Sequence, residues 1–141
     1  IVGLGEAVKK AQSGKRKVEN IKKLRNKLIT GILRDISGVS VNGSLKERLP
    51  NNAHLSFDGV EGEGIVFDLS SKGVLTSTSS ACASHSLAPS HVLLAIGLKA
   101  EDAHSSVRFT LGKQTTSADI DYVLKILPGI VKRLRKISGY K

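Results

Sequence analysis

A chain of 141 residues carries 22 Lys and Arg against 12 Asp and Glu, a formal net charge of +10, with 40% hydrophobic residues, 4% aromatics, no Trp, no Met and one Cys. That is the length of one domain, with enough apolar residues for a core of Leu, Ile, Val and Ala. The lone Cys rules out an intramolecular disulfide framework and fits a reducing compartment, and no uninterrupted apolar run is long enough to span a bilayer. The charge is uneven: ten basic residues and one acid lie between Lys9 and Arg34, and six basic residues and no acid between Lys125 and Lys141. Such stretches can hold nucleic acid or an acidic protein. A solvated helix face is the plainer reading, and Lys9 to Arg34 offers no aromatic on which a single strand could stack, so nucleic acid is not expected as a partner. Ile1-Val2-Gly3-Leu4-Gly5 does not read as a signal peptide, having no basic residues ahead of it and Glu6 behind it. An opening Ile1 with no Met anywhere reads as part of a longer polypeptide.

The spacing of Ile1, Leu4, Val8 and Ala11 predicts a short first helix, ended or loosened at Ser13-Gly14. A second helix is expected from Val18 to Ile36. Ile21, Leu24, Leu28 and Ile32 form its stripe, Ile29, Leu33 and Ile36 widen it, and Gly38 follows in a C-cap-like position. The period then changes to two. Val39-Ser40-Val41-Asn42 reads as a strand closed by the turn Asn42-Gly43-Ser44, and after the breaker Leu49-Pro50-Asn51-Asn52 a second strand alternates Ala53, Leu55 and Phe57 with His54 and Ser56. Glu61-Gly62-Glu63 opens a helix to Ser71 with its acids at the positive end, and Gly73 caps it. Val74-Leu75-Thr76 reads as a short strand leading to the loop that holds Cys82. Pro89-Ser90 starts a helix through Ile96, stopped by Gly97. Ser106 to Leu111 reads as a strand with Val107, Phe109 and Leu111 on one face and Arg108 on the other. Thr116-Ser117-Ala118-Asp119 resembles a capping box with Asp in the usual Glu place. The last helix carries Ile120, Val123, Leu124, Leu127, Val131 and Leu134, with a kink expected at Pro128-Gly129. The sum is a single α+β domain over residues 1–141: a small, largely antiparallel sheet with helices packed on it.

Few residues announce chemistry by themselves. His54, His85, His91 and His104 are dispersed, and with one Cys they match no zinc spacing, so no metal site is expected. A Cys/His pair using His85 or His91 lacks the signatures of the cysteine proteases. Gly62 and Gly64 stand among acids, which argues against a phosphate loop. Cys82 sits in Ser79-Ser80-Ala81-Cys82-Ala83-Ser84-His85. A lone Cys is more often an inert buried residue than a nucleophile, but these flanks are Ser-rich and lack the usual burial signals. Reactivity would further need exposure and a lowered pKa.

Several segments together resemble a known family. They are Leu49-Pro50-Asn51-Asn52; Val60-Glu61-Gly62-Glu63; Ser79 to Ser84; Leu87-Ala88-Pro89-Ser90-His91-Val92-Leu93; Ala103 to Gly112; and Thr115-Thr116 with Ile120-Asp121. In this order and spacing they resemble the C-terminal, small-domain part of the pyridoxal-phosphate-dependent cysteine desulfurases, of the class that includes the iron–sulfur-cluster and nitrogenase-maturation enzymes. The resemblance runs over the whole chain, its opening included, which looks like the family's helix between the large and small domains. It implies the small domain of a fold-type I pyridoxal-phosphate enzyme, in which Cys82 attacks the sulfur of L-cysteine, alanine is released and a persulfide stays on Cys82. It also implies that Arg108 binds the substrate carboxylate, as a guanidinium can with two parallel bonds; without the resemblance, Arg108 reads as a surface strand residue. His85 and His104 are candidates for moving protons near the thiol. Two departures stand out: Thr78-Ser79-Ser80 replaces the more usual Ser-Gly-Ser, and Ala83 replaces a Thr. The family's cofactor lysine, ring-stacking residue and ring-nitrogen Asp belong to an upstream large domain, so no cofactor-binding residue is assigned here and this chain alone is not expected to hold pyridoxal phosphate. The resemblance further implies a homodimeric cytoplasmic or organellar enzyme passing sulfur to an iron–sulfur scaffold or another acceptor. A selenocysteine lyase and a stand-alone persulfide carrier are the alternative readings.

Overall fold

A computed structural model of the chain describes residues 1–12, 15–78 and 88–139, with side-chain surroundings for 1–10, 18–78 and 88–139. Its elements in order are α1 (Val2–Gln12), α2 (Lys15–Asp35), β1 (Val39–Val41), β2 (Asn52–Phe57), α3 (Gly62–Ser71), β3 (Ser77–Thr78), α4 (His91–Ala95), α5 (Ala100–His104), β4 (Ser106–Thr110) and α6 (Ser117–Ile137). The four strands make one sheet in the order β1-β2-β4-β3, every neighbour antiparallel. The expected Ser13-Gly14 break and the Cys82 loop fall outside the described residues.

Register decides which residues share a face. Ala53 pairs with Phe109, Leu55 with Val107, Phe57 with Val39, and Val41 with Leu55. Directly opposite residues point the same way, so these apolar side chains form one face, and α2, α3 and α6 cover it. Leu28, Ile32, Leu55, Phe57, Ile65, Leu69, Val107, Leu127 and Val131 are almost wholly withdrawn from water in one continuous core. Each such side chain stabilises the fold by about 1.5–3 kcal/mol relative to exposure. The α2–α6 contact is close because Gly31 has no side chain: a Cβ there would lie 2.6 Å from both Leu124 methyls. The expected capping box opens α6. Asp119 N–H donates to Thr116 Oγ1 at 3.3 Å and Thr116 N–H donates to Asp119 Oδ2 at 2.8 Å, which lowers the pKa of Asp119. The helix then continues through Pro128 to Ile137.

Three features depart from the sequence reading. α2 begins at Lys15 rather than Val18, since its first turn is polar and invisible to an apolar period. Val74-Leu75-Thr76 is not a strand. Val74 N–H still bonds back to Leu69 of α3 at 2.9 Å, Leu75 is 84% exposed, and ladder pairing begins only at Ser77 and Thr78, opposite Arg108 and Val107. Residues 100–104, for which no element was expected, form α5, whose Glu101 and Asp102 occupy the first turn. Its end holds the start of β4: Ser105 Oγ donates to the Asp102 carbonyl at 3.0 Å and Ser106 Oγ to the Ala103 carbonyl at 2.7 Å, so both serines are buried supports of the sheet.

Candidate functional site

The second face of the sheet is polar. The register aligns His54 of β2, Arg108 of β4 and Ser77 of β3 in one row across it, neighbouring Cβ atoms being about 4.5–5.5 Å apart in such pairs. The alternation that buries Val107 and Phe109 against the helices therefore turns Arg108 outward, as the sequence suggested. There it lines an open cleft of about 460 Å³ whose walls include Asn42, Arg48, His54, Val92 and Ile96. Arg108 is partly buried, lines the cleft, and makes no hydrogen bond or ion pair with a described residue, so no described group compensates its guanidinium. β3, on the far side of Arg108 from His54, ends at Thr78, the described residue that precedes the segment holding Cys82. Cys82 and His85 lie outside the described residues. His104 is exposed on α5 and lines a different cleft with Glu61, Glu101 and Ser138.

Around Arg108 the cleft is built from groups that the sequence reading did not single out. Arg48 ties the β1–β2 connection together: its Nε donates to the Ser44 carbonyl at 2.7 Å, one terminal nitrogen to Asn42 at 2.5 Å and the other to Asn52 at 3.3 Å. Burial, and then the neighbouring Arg25, lower its pKa. Arg25 itself, one of the cations of the first basic stretch, is not on a solvated face. It is 2% exposed and donates to the Leu49 carbonyl at 2.9 Å, holding the Leu49-Pro50 breaker against α2. Asn42 Nδ2 donates to Ser56 Oγ at 3.0 Å, and Ser56 Oγ donates to the Asp102 carbonyl at 2.9 Å, so the residue that follows β1 is joined through β2 to α5 by one polar chain. His54 is the exception to this satisfaction, its buried Nε2 having no hydrogen-bond partner. Burial, then the charges of Arg108 and Arg48, hold its pKa down to about 4, so the imidazole is neutral near pH 7. Nothing in the sequence distinguishes His54 from the other three histidines; only the strand register puts it beside Arg108.

Two guanidiniums and a neutral imidazole around one cleft suit a small anion, and the unpaired planar Arg108 suits a carboxylate best. The cleft does not suit pyridoxal phosphate as a resident group. Its aldehyde needs a lysine, and although Glu47 is an acid on these walls, no Lys lines them among the described residues. No cluster of three or more metal-binding side chains occurs among the described residues, and no described helix is long and apolar enough to cross a membrane.

An α+β domain with an antiparallel sheet, helices on its apolar face and an anion-ready arginine on the other is the class of protein this geometry defines. The aminotransferase class-V family matches residues 1–123, and the chain belongs to that family. It is 50% identical to the cysteine desulfurase IscS of Clostridium botulinum over 98% of its length, and 46% identical to the cysteine desulfurase IscS of Dictyoglomus turgidum over all of it; the match covers 36% of each relative. The chain thus spans about a third of the length of these curated relatives. Among solved structures, a NifS-like protein superimposes with a TM-score of 0.75 at 28% identity, over 88% of this chain and 30% of that one. A NifS-like protein from Rickettsia africae, at 23% identity and a TM-score of 0.70 over 84% of this chain and 30% of that one, shares the fold.

Proposed function

We propose that the chain is the small domain of a cysteine desulfurase, in which Arg108 holds the carboxylate of L-cysteine and Cys82 accepts its sulfur. The observation that carries this reading is the guanidinium of Arg108, with no partner among the described residues and facing a cleft on the strand beside β3, in a chain half identical to cysteine desulfurases over nearly its whole length. The overall transfer balances. The carbon–sulfur bond of cysteine breaks, a sulfur–sulfur bond forms on Cys82, and the thiol proton completes the released alanine. Pyridoxal phosphate, which the family implies, supplies the electron sink for that carbon–sulfur cleavage. In this reading it is held by parts of the enzyme outside this chain. The contribution of this chain is orientation and acceptance: two parallel hydrogen bonds from Arg108 fix the carboxylate, and a thiolate takes the sulfur. The complete enzyme would work as a cytoplasmic homodimer and pass the persulfide sulfur to an iron–sulfur scaffold or another acceptor.

The test uses the full-length enzyme. Cys82→Ser abolishes alanine release, and mass spectrometry of the peptide containing position 82 finds no added sulfur; turnover near wild type would remove the persulfide assignment. Arg108→Ala weakens L-cysteine binding by roughly ten- to a hundredfold, the equivalent of losing a hydrogen bond to a charged group. Binding of cysteamine, which has the thiol and amine but no carboxylate, stays unchanged.

A further inference from the structure

The carboxylate reading of Arg108 leaves His54 unexplained. It is Arg108's cross-strand partner, it lines the same cleft, and its buried Nε2 has no partner. A buried polar atom left unpaired is unfavourable and asks for a reason. Resting on that reading, we propose that His54 and Arg108 form one anion-responsive pair: in mildly acid solution, a small carboxylate that docks on Arg108 draws a proton from solvent onto His54, which becomes the second cation of the same subsite.

The coupling between anion and proton is reciprocal. The Arg108 charge is one of the causes that keep the imidazole neutral, after burial and ahead of Arg48. A carboxylate on Arg108 neutralises that charge and adds a negative one beside His54, so both changes favour the imidazolium. By linkage, whatever makes the anion favour the proton makes the proton favour the anion by the same factor. The other ionisable groups near His54 leave room for this. Arg48 and Glu47 share the cleft, Arg48 already committed to three backbone carbonyls. From α4 and its C-cap the cleft wall is Val92, Leu93 and Ile96, which carry no charge. α5, packed on β2, turns Glu101 and His104 to the separate cleft, and its Asp102 reaches this network through its backbone carbonyl, with Ser56 Oγ. On β4 Arg108 is the one charged residue. An anion seated on Arg108, a carboxylate fitting its planar fork best, thus reverses the field at the imidazole.

The probe is trifluoroacetate, a carboxylate that stays ionised throughout the range, titrated into the chain between pH 7.5 and 5 and followed by fluorine NMR. The wild-type protein binds roughly two- to tenfold more tightly at the acid end, as a rise of roughly one to two pKa units in the occupied state, from about 4 in the free one, requires. Arg108→Gln loses the binding, and His54→Asn binds with an affinity that does not change with pH. Carbon-13 labelling of histidine gives a second readout on unaltered protein: saturating trifluoroacetate raises the His54 titration midpoint, and equal chloride does not. If Arg108→Gln loses binding while His54→Asn keeps the wild-type pH dependence, or if the His54 midpoint stays fixed on saturation, the pairing is wrong and the carboxylate reading of Arg108 survives. If Arg108→Gln binds as wild type does, that reading and the pairing fail together.

Discussion

Replacing Gly62 by Ala adds one methyl group where α3 meets the start of β4. A Cβ at Gly62 would lie 2.5 Å from the Ser106 carbonyl oxygen and 3.0 Å from that of His104. Both obstacles are backbone, fixed by the sheet ladder and by the serine bonds at the end of α5, so neither can swing aside as a side-chain terminus would. Overpacking a well-packed site costs about 1–3 kcal/mol, and an unyielding neighbour puts this site at the upper end. Alanine returns about 0.4–1 kcal/mol by restricting the unfolded chain. The net expectation is a loss of about 2 kcal/mol, or a fall in Tm of roughly 6–10 °C for a chain of this size. Thermal and urea unfolding followed by circular dichroism measure it. Gly64, two residues on in the same helix, is the matched control: its Cβ would meet the Leu134 methyls at 3.5 and 3.6 Å, an ordinary contact. Gly64→Ala is therefore stabilising by about 0.5–1 kcal/mol, the usual gain of Ala over Gly inside a helix. If Gly62→Ala proves as stable as the wild type, the close approach of α3 to β4 is not as described.

Further expectations follow from the core, the cap and the cleft. Leu55→Ala, at a wholly buried position in the middle of β2, lowers stability by about 2–5 kcal/mol in urea titration. Thr116→Ala removes the hydroxyl of the α6 capping box and lowers stability by about 0.5–2 kcal/mol, whereas Thr116→Ser retains most of it. Because His54 titrates at about 4 in the folded chain and near 6.5 unfolded, the unfolded state takes up the proton first as pH falls. Wild-type stability therefore declines between about pH 6.5 and 4, by on the order of 2 kcal/mol once partial solvent screening is allowed for. His54→Asn shows a shallower decline over that window, and parallel pH profiles would contradict the buried-imidazole account.

The helices that carry the core were legible because their apolar residues recur at helical spacing; Leu24, Leu28 and Ile32 of α2 and Ile120, Val123 and Leu127 of α6 all reach it. β2 and β4 were legible from alternation, which also set Arg108 apart from its neighbours. Alternation could not reveal β3, whose Ser77-Thr78 has no apolar signal and is a strand only because β4 offers it partners. Val74 and Leu75 are apolar for another reason, lying along a cleft beside Phe109, Ile120 and Tyr122. Arg25 was hidden because a cation on a basic helix looks solvated until a carbonyl from a distant turn is found against it. His54 was hidden because its neighbour in space is 54 residues away in sequence, and register is a tertiary fact.

Among the described residues the sheet has two edges and both are short: β1 is three residues long and β3 two, while the longer strands, β2 with six and β4 with five, lie inside. Along β1 a strand from another molecule would find only a few unpaired amides and carbonyls to add onto, too few to seed a growing ladder. Among the described residues, intermolecular β-pairing along the β1 edge is thus discouraged in the folded state.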